Sequence, residues 1–181
     1  MIAHEEEALA SLQSLFESEA MADAYGEDIS IRAHMLQCAE LAVEQGLGDA
    51  LVAAALLHDI GWGLNGSGGA GADGHEHAAA DLLLPLFGPA VADPVRAHVA
   101  AKRYLVTARP GYGDRLSDCS RETLARQGGP FTAEECTAFE AMECFRAAVA
   151  LRYLDDTGKA LSEPKSRFAD YLPLLHGLMQ G

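Results

Sequence analysis

Apolar residues recur at helical spacing along most of the chain, and the pattern divides at glycine, proline and capping residues. Residues 3–22 carry Leu9, Leu12, Leu15 and Phe16 on one face, with three glutamates at 5–7 near the positive end of the helix dipole. Tyr25-Gly26-Glu27-Asp28 breaks this helix. Ser30 is placed to cap a second one that runs to about residue 45, with Ile31, His34, Met35, Cys38 and Leu41 or Ala42 on its inner face. Gly46 and Gly48 punctuate, and a third helix from about residue 49 is an apolar run that delivers His58 and Asp59 at its end, where Gly61 can stop it. Residues 61–74 contain seven glycines and predict a flexible surface loop. No Gly-Lys-Ser/Thr follows it and no strand precedes it, so it is neither a P-loop nor a dinucleotide turn.

His75-Glu76-His77 opens a fourth helix, backed by Leu82, Leu83, Leu86 and Phe87 and ended by Gly88-Pro89. Asp93-Pro94 caps and starts a fifth, which holds His98 and Lys102 one turn apart. Residues 105–116 read as a loop and 117–126 as a short helix. Thr132-Ala133-Glu134-Glu135 is a capping box for a long helix through Phe139, Met142, Phe145, Val149 and Arg152 to Asp155. A last helix over about 167–179 has Pro173 inside it or at a kink. With no strand, repeat or linker, the expected fold is all-α, a single domain over residues 1–181.

Charge changes the picture next. The chain has 13 Lys and Arg against 27 Asp and Glu, a net charge of -14 that repels nucleic acid. A small anionic ligand must then be held by a local cluster of scarce cations, so each Lys or Arg inside a motif is informative. The longest apolar run, 50–57, is far short of the roughly 20 residues that span a bilayer, and no basic leader opens the chain. The expectation is a cytoplasmic protein with no membrane partner. Cys38, Cys119, Cys136 and Cys144 show no C-x-x-C spacing and are expected to be reduced and mostly buried.

The candidate chemistry lies in the inward polar residues: His34, His58-Asp59, His75 or His77, His98, and an acid from Asp155-Asp156. Polar groups on five apolar faces are satisfied together if they converge on metal. Four histidines and two carboxylates are too many for one tetrahedral zinc and suit two metals sharing a carboxylate; iron, manganese and zinc all accept such ligands. Position 79 is Ala, so this is no H-E-x-x-H helix, and no Glu-x-x-His of the ferritin type occurs.

His34, His58-Asp59 and a later Asp resemble the HD-domain superfamily of metal-dependent phosphohydrolases. Tyr25-Gly26-Glu27, the run 56–61, His75-Glu76-x-x-Ala79-Ala80, the run 98–105, Leu116-Ser117-Asp118, Gln127-Gly128-Gly129 and the run 152–159 resemble one branch of it more closely. That branch is the mixed-valence di-iron oxygenases that cleave the carbon–phosphorus bond of 1-hydroxyphosphonates, and the resemblance covers about residues 23–160. It implies a helical bundle around two irons, Fe(II)/Fe(III), with O2 as co-substrate. One iron would be held by His34, His58, Asp59 and Asp155, and the other by Asp59, His75 and His98. His75 is preferred to His77 by its place at the start of the His-Glu-x-x-Ala-Ala run, and Asp155 to Asp156 by Arg152 on its helix face.

The resemblance further implies that Lys102, Arg152, Ser120 and Thr123 hold the phosphonate. Tyr25 and Glu27 would respond to substrate, Glu27 facing its nitrogen. Trp62 departs from the aminophosphonate enzymes, which have histidine there. Its ring offers a cation–π face to a trimethylammonio group, or a loop anchor. The products would be phosphate and a carboxylate such as glycine or glycine betaine. The rival is an HD phosphohydrolase on the same ligands, which gives Tyr25, Glu27 and the run 98–102 no task; a non-catalytic binding module would have no need of the full ligand set.

Overall fold

A computed structural model describes residues 2–24, 27–64 and 74–179. The α-helices are α1 (Ile2–Phe16), α2 (Ile31–Glu44), α3 (Asp49–Leu57), α4 (Gly61–Leu64), α5 (His75–Phe87), α6 (Pro89–Ala108), α7 (Asp118–Arg126), α8 (Ala133–Glu140), α9 (Phe145–Thr157) and α10 (Leu172–Met179). No strand occurs among the described residues, and none of their helices is long and apolar enough to cross a membrane. The fold is all-α.

α3 is the axis of the packing. Its residues 52–57 are apolar on every side and almost fully inaccessible, so the helix has to be surrounded, and α2, α6, α9 and α10 pack around it. Burying Leu56 and Leu57 contributes roughly 1.5–3 kcal/mol each. A second apolar cluster gathers where the outer half of α6 meets Tyr112, Leu116, Phe139 and Ala148.

Local chemistry sets several helix ends. Ser30 Oγ accepts the Ala33 N–H at 3.2 Å and starts α2. Gly46 (φ +66) ends that helix, its N–H donating to Val43 O and the Leu47 N–H to Ala42 O. Ser117 caps α7, and the Thr132/Glu135 capping box starts α8.

Several expectations change. The first helix stops at Phe16: Ser18 is extended, and a 3-10 turn over Glu19–Ala22 buries Met21. Gly61 does not stop α3, which ends at Leu57. Gly61 opens α4 with its Cα against α5, where a Cβ would lie 2.0 Å from His75 O, so glycine is required for close approach. α6 begins at Pro89, behind Gly88 (φ +71), not at Asp93-Pro94. Burial of Val91, Ala92 and Val95 outweighs the one N–H that Pro94 lacks. The long last-but-one helix is two helices, broken over residues 141–144, because Phe139 and Phe145 both turn onto Tyr104, with ring centroids 5.4 and 5.2 Å from it.

The loop expected over 105–116 begins only after Ala108 and includes a 3-10 turn, and Pro173 falls in the first turn of α10. Cys38 is buried, the other cysteines are half-buried, and all four are free thiols. Most of the glycine loop, residues 65–73, and Tyr25 lie outside the described residues.

Candidate metal centre and substrate pocket

The end of α3 meets α2, α5, α6 and α9 at a cluster of four imidazoles and two carboxylates. The imidazoles form two pairs: His34 Nε2 lies 3.3 Å from His58 Nε2, and His75 Nε2 lies 3.3 Å from His98 Nε2. Asp59 stands between them. Its Oδ2 is 3.5 Å from His58 Nε2 and 4.0 Å from His34 Nε2, while its Oδ1 is 3.1 Å from His75 Nε2 and 3.8 Å from His98 Nε2. One carboxylate oxygen thus serves each pair, and Asp155 Oδ1 adds to the first at 3.2 Å from His34.

At three of the four rings the other nitrogen meets a backbone carbonyl. Nδ1 of His34, His58 and His98 points at the carbonyls of Gly158, Ala55 and Val95 at 2.7, 2.9 and 2.7 Å, so Nδ1 donates in all three. Burial lowers the His34 pKa, but Cys38 and Asp155 outweigh it and raise it, so in the metal-free protein His34 Nε2 also holds a proton beside Asp155 Oδ1. His75 Nδ1 lies 3.4 Å from Glu76 Oε2. Burial lowers the pKa of His58, and burial with the neighbouring His75 and His58 lowers that of His98 to about 3, which keeps these rings neutral. Burial alone would raise the Asp59 carboxyl, but His58 and His75 outweigh it and hold it ionised. Nε2 atoms meet at 3.3 Å across each imidazole pair with an Asp59 oxygen beside them, and a cation between the rings would take both nitrogens as ligands once the His34 ring gives up its proton. The donor set therefore fits two metal ions, each with nitrogen and carboxylate ligands.

His77 is not in this cluster; its side chain is 61% exposed. Asp156 is also elsewhere, accepting from the Tyr112 hydroxyl and Arg152 Nη2. Arg152 is committed in three directions, with Nη1 donating to Asp155 Oδ2 at 2.6 Å and Nε to Tyr112 Oη at 3.0 Å. It orients Asp155, and the carboxylates raise its own pKa against the effect of burial. Cys38 Sγ is 3.8 Å from the His34 ring but donates to Leu154 O, and burial raises its pKa, so the thiol stays protonated.

A pocket opens from the cluster between α6, α7 and α9, lined in part by Glu27, Trp62, Lys102, Ser120, Thr123 and Lys159. Lys102 is 2% exposed and donates to Thr123 Oγ1 at 2.8 Å; burial, then the Arg152 charge, pushes its pKa down to about 8. Glu27 accepts from Lys159 Nζ at 2.6 Å and from the Ser117 hydroxyl at 2.8 Å. Trp62 stacks on His75, with centroids 5.0 Å apart and 26° between planes, so it braces the metal cluster as well as lining the pocket.

Sequence reasoning brought together every member of the imidazole–carboxylate cluster, but it missed Lys159, Glu76, Tyr112 and the anchor of the 158–162 segment. That anchor is Gln37, whose amide bonds Ala160 O, Ala160 N and Ser162 O, each at 2.8 Å, and so places Gly158 O and Lys159. Lys159 lies within the run 152–159 and was the one signal available.

Helices that place a histidine–aspartate pair at the end of a buried helix, with further histidines from its neighbours, define a metal-dependent HD-type protein. The HD domain family matches residues 31–137, and the chain belongs to that family. It is 37% identical over 159 residues, 85% of this chain and 81% of the relative, to the [1-hydroxy-2-(trimethylamino)ethyl]phosphonate dioxygenase (glycine-betaine-forming) of Leisingera caerulea. It is 38% identical over 141 residues, 75% of this chain and 70% of the relative, to the hydroxymethylphosphonate dioxygenase of Gimesia maris. An uncharacterized protein of Acanthamoeba polyphaga mimivirus is 38% identical over 157 residues, 83% of this chain and 72% of the relative.

Proposed function

We infer that the protein is an iron- and O2-dependent oxygenase that cleaves the carbon–phosphorus bond of a small 1-hydroxyphosphonate, releasing phosphate and a carboxylate. The observation that carries the reading is the split of Asp59 between two imidazole pairs beside a pocket with buried cations. The names of the relatives supply the reaction class.

His34, His58, Asp59 and Asp155 would hold one iron, and Asp59, His75 and His98 the other. Two irons there would supply O2 binding and the redox equivalents of an oxidative cleavage. The protein's own residues position the substrate. Lys102 gives a point charge to the phosphonate, and Ser120 and Thr123 would add their hydroxyls from one face of α7, Thr123 by turning from the Ser120 carbonyl while it accepts from Lys102. Arg152 acts chiefly by holding Asp155 in place. Glu27 and Lys159 form an ion pair at the pocket wall that a charged substituent on carbon two would have to meet. Tyr25, beside Glu27 in sequence, keeps its assigned response to substrate as part of this reading. Trp62 gives the wall an aromatic surface.

The test is phosphate release by anaerobically prepared, iron-loaded protein from a panel of 1-hydroxyphosphonates, with and without O2, alongside Mössbauer and EPR spectra. Oxygen-dependent release and a coupled Fe(II)/Fe(III) signal perturbed by one compound are expected. Oxygen-independent release from a phosphate ester, with spectra indifferent to every phosphonate, would instead make the protein an HD phosphohydrolase.

A further inference from the structure

Two histidines of the cluster are oriented by their own helices, and one is not. His58 and His98 each turn Nδ1 back to a carbonyl three residues earlier, Ala55 and Val95. These acceptors are fixed wherever the helix is fixed. His34 uses Gly158 O instead, 124 residues along the chain and 2.7 Å from Nδ1. Gly158 ends α9, its N–H donating to Leu154 O at 2.8 Å, and residues 158–167 then run without helix beside α2. A carbonyl in such a segment is only as well placed as the bonds that hold the segment down.

Those bonds come from the same helix as His34. Gln37, one turn further along α2, is 7% exposed and uses its whole amide on the segment. Its Nε2 donates to Ala160 O and Ser162 O, and its Oε1 accepts the Ala160 N–H, each at 2.8 Å. Another turn on, Glu40 Oε1 accepts both the N–H and the hydroxyl of Ser166 at 2.7 Å. The segment is pressed flat at its start, because a Cβ on Gly158 would stand 2.5 Å from Cys38 Sγ and 3.0 Å from Cys38 N. Residues 158–166 thus form a strap along α2, tied near the metal ligand by Gln37 and at its far end by Glu40.

We propose that Gln37 is a positioning residue for the first metal site. By fixing Gly158 O it keeps the Nδ1–H of His34 engaged, and so keeps Nε2 turned toward Asp155, His58 and the metal. The inference rests on reading the cluster as a two-metal centre and asks nothing of the substrate. Without the three amide bonds, Gly158 is held from the α9 side alone, and the imidazole is free to turn about its side-chain bonds. An acceptor behind a ligating imidazole sets its orientation, and losing such a partner weakens metal binding by about tenfold or more.

The probe is Mn(II) added to metal-free protein, followed by calorimetry and by EPR of the bound ion, with thermal unfolding measured alongside. Gln37→Met keeps the stem and removes all three bonds; Glu40→Met cuts the far tie. Gln37→Met is expected to bind one Mn(II) about tenfold more weakly than wild type and the other unchanged, whereas Glu40→Met binds both as wild type does. Single-site backgrounds locate the loss. Added to His98→Ala, which keeps the His34 site, Gln37→Met should bring the same tenfold loss; added to His34→Ala, which keeps the His75–His98 site, it should bring none. Gly158→Ala, which lifts the strap off Cys38, is the second variant and should show the same site-selective loss. Wild-type Mn(II) affinity in both Gln37→Met and Gly158→Ala overturns the proposal, as does a loss of equal size in the two single-site backgrounds, which is general loosening of the fold. Wild-type protein that takes up fewer than two Mn(II) removes the two-metal reading and the proposal with it.

Discussion

Replacing Lys102 by Met separates what the pocket costs the fold from what it gives the substrate. The ammonium is buried, its one hydrogen bond is to Thr123, and no carboxylate lies within ion-pairing distance of it among the described residues. Burial and then the Arg152 charge lower its pKa from the ordinary lysine value to about 8. At about 1.4 kcal/mol for each tenfold change in proton affinity, the protonated side chain costs the metal-free fold roughly 3 kcal/mol at pH 7. The folded pKa lies below the unfolded one. Below about pH 8 both states carry the proton and the cost is full; above it the folded state sheds the proton first, and stability rises with pH until the unfolded chain titrates too. Met keeps the length of the stem, and the Thr123 hydroxyl retains the Ser120 carbonyl at 3.2 Å. Urea unfolding of metal-free Lys102→Met should therefore show a gain of up to about 3 kcal/mol at pH 7 that falls by roughly half at pH 9.5. The same variant should bind phosphonate at least about tenfold more weakly. In the wild type, kcat/KM should decline as pH rises through about 8, because the free enzyme loses the charge that draws the dianion. A Lys102→Met protein less stable than wild type at pH 7, or a gain undiminished at pH 9.5, would refute this account.

Gly61→Ala puts a Cβ 2.0 Å from His75 O and should lower stability by about 2 kcal/mol or more, seen as a reduced melting temperature. Because Trp62 is the one tryptophan and stacks on His75, its fluorescence should change in that variant and on metal addition to the wild type. Asp59→Ala should abolish binding of both metals, whereas His98→Ala should retain about one equivalent by elemental analysis, since Asp59 alone faces both imidazole pairs. Lys159→Met frees Glu27 from its 2.6 Å partner and should raise selectivity for a phosphonate carrying an ammonium group over hydroxymethylphosphonate. Equal losses for the two substrates would mean that Lys159 acts on the phosphonate alone.

What the sequence made legible is what local chemistry decides. Ser30, Ser117 and Thr132 start helices where their side chains can accept the orphan N–H groups, and all three do so. The break between α8 and α9 was not legible, because residues 141–144 hold no glycine or proline and the apolar rhythm passes through it unbroken. The early start of α6 was hidden by an ordinary capping signal at Asp93-Pro94 that tertiary burial overrides. At the site, each histidine of the cluster sat in a recognisable run. Lys159 did not stand out, because its partner Glu27 is 132 residues away and no spacing rule connects them. Tyr112 and Asp156 are likewise joined across 44 residues by a contact that only the folded chain creates.

The charge balance closes the argument about the pocket. Three of the 13 Lys and Arg in a chain of net charge -14 gather around this one cavity: Lys102, Arg152 and Lys159. Arg152 is paired with Asp155 and Asp156, and Lys159 with Glu27. Lys102 is the member of the trio that forms no ion pair among the described residues, and burial, then the Arg152 charge, lowers its pKa. A dianion seated beside Lys102 and Thr123 would supply the missing counter-charge and raise that pKa again. On a chain of net charge -14, an anionic substrate is drawn to this cavity by the cations gathered in it.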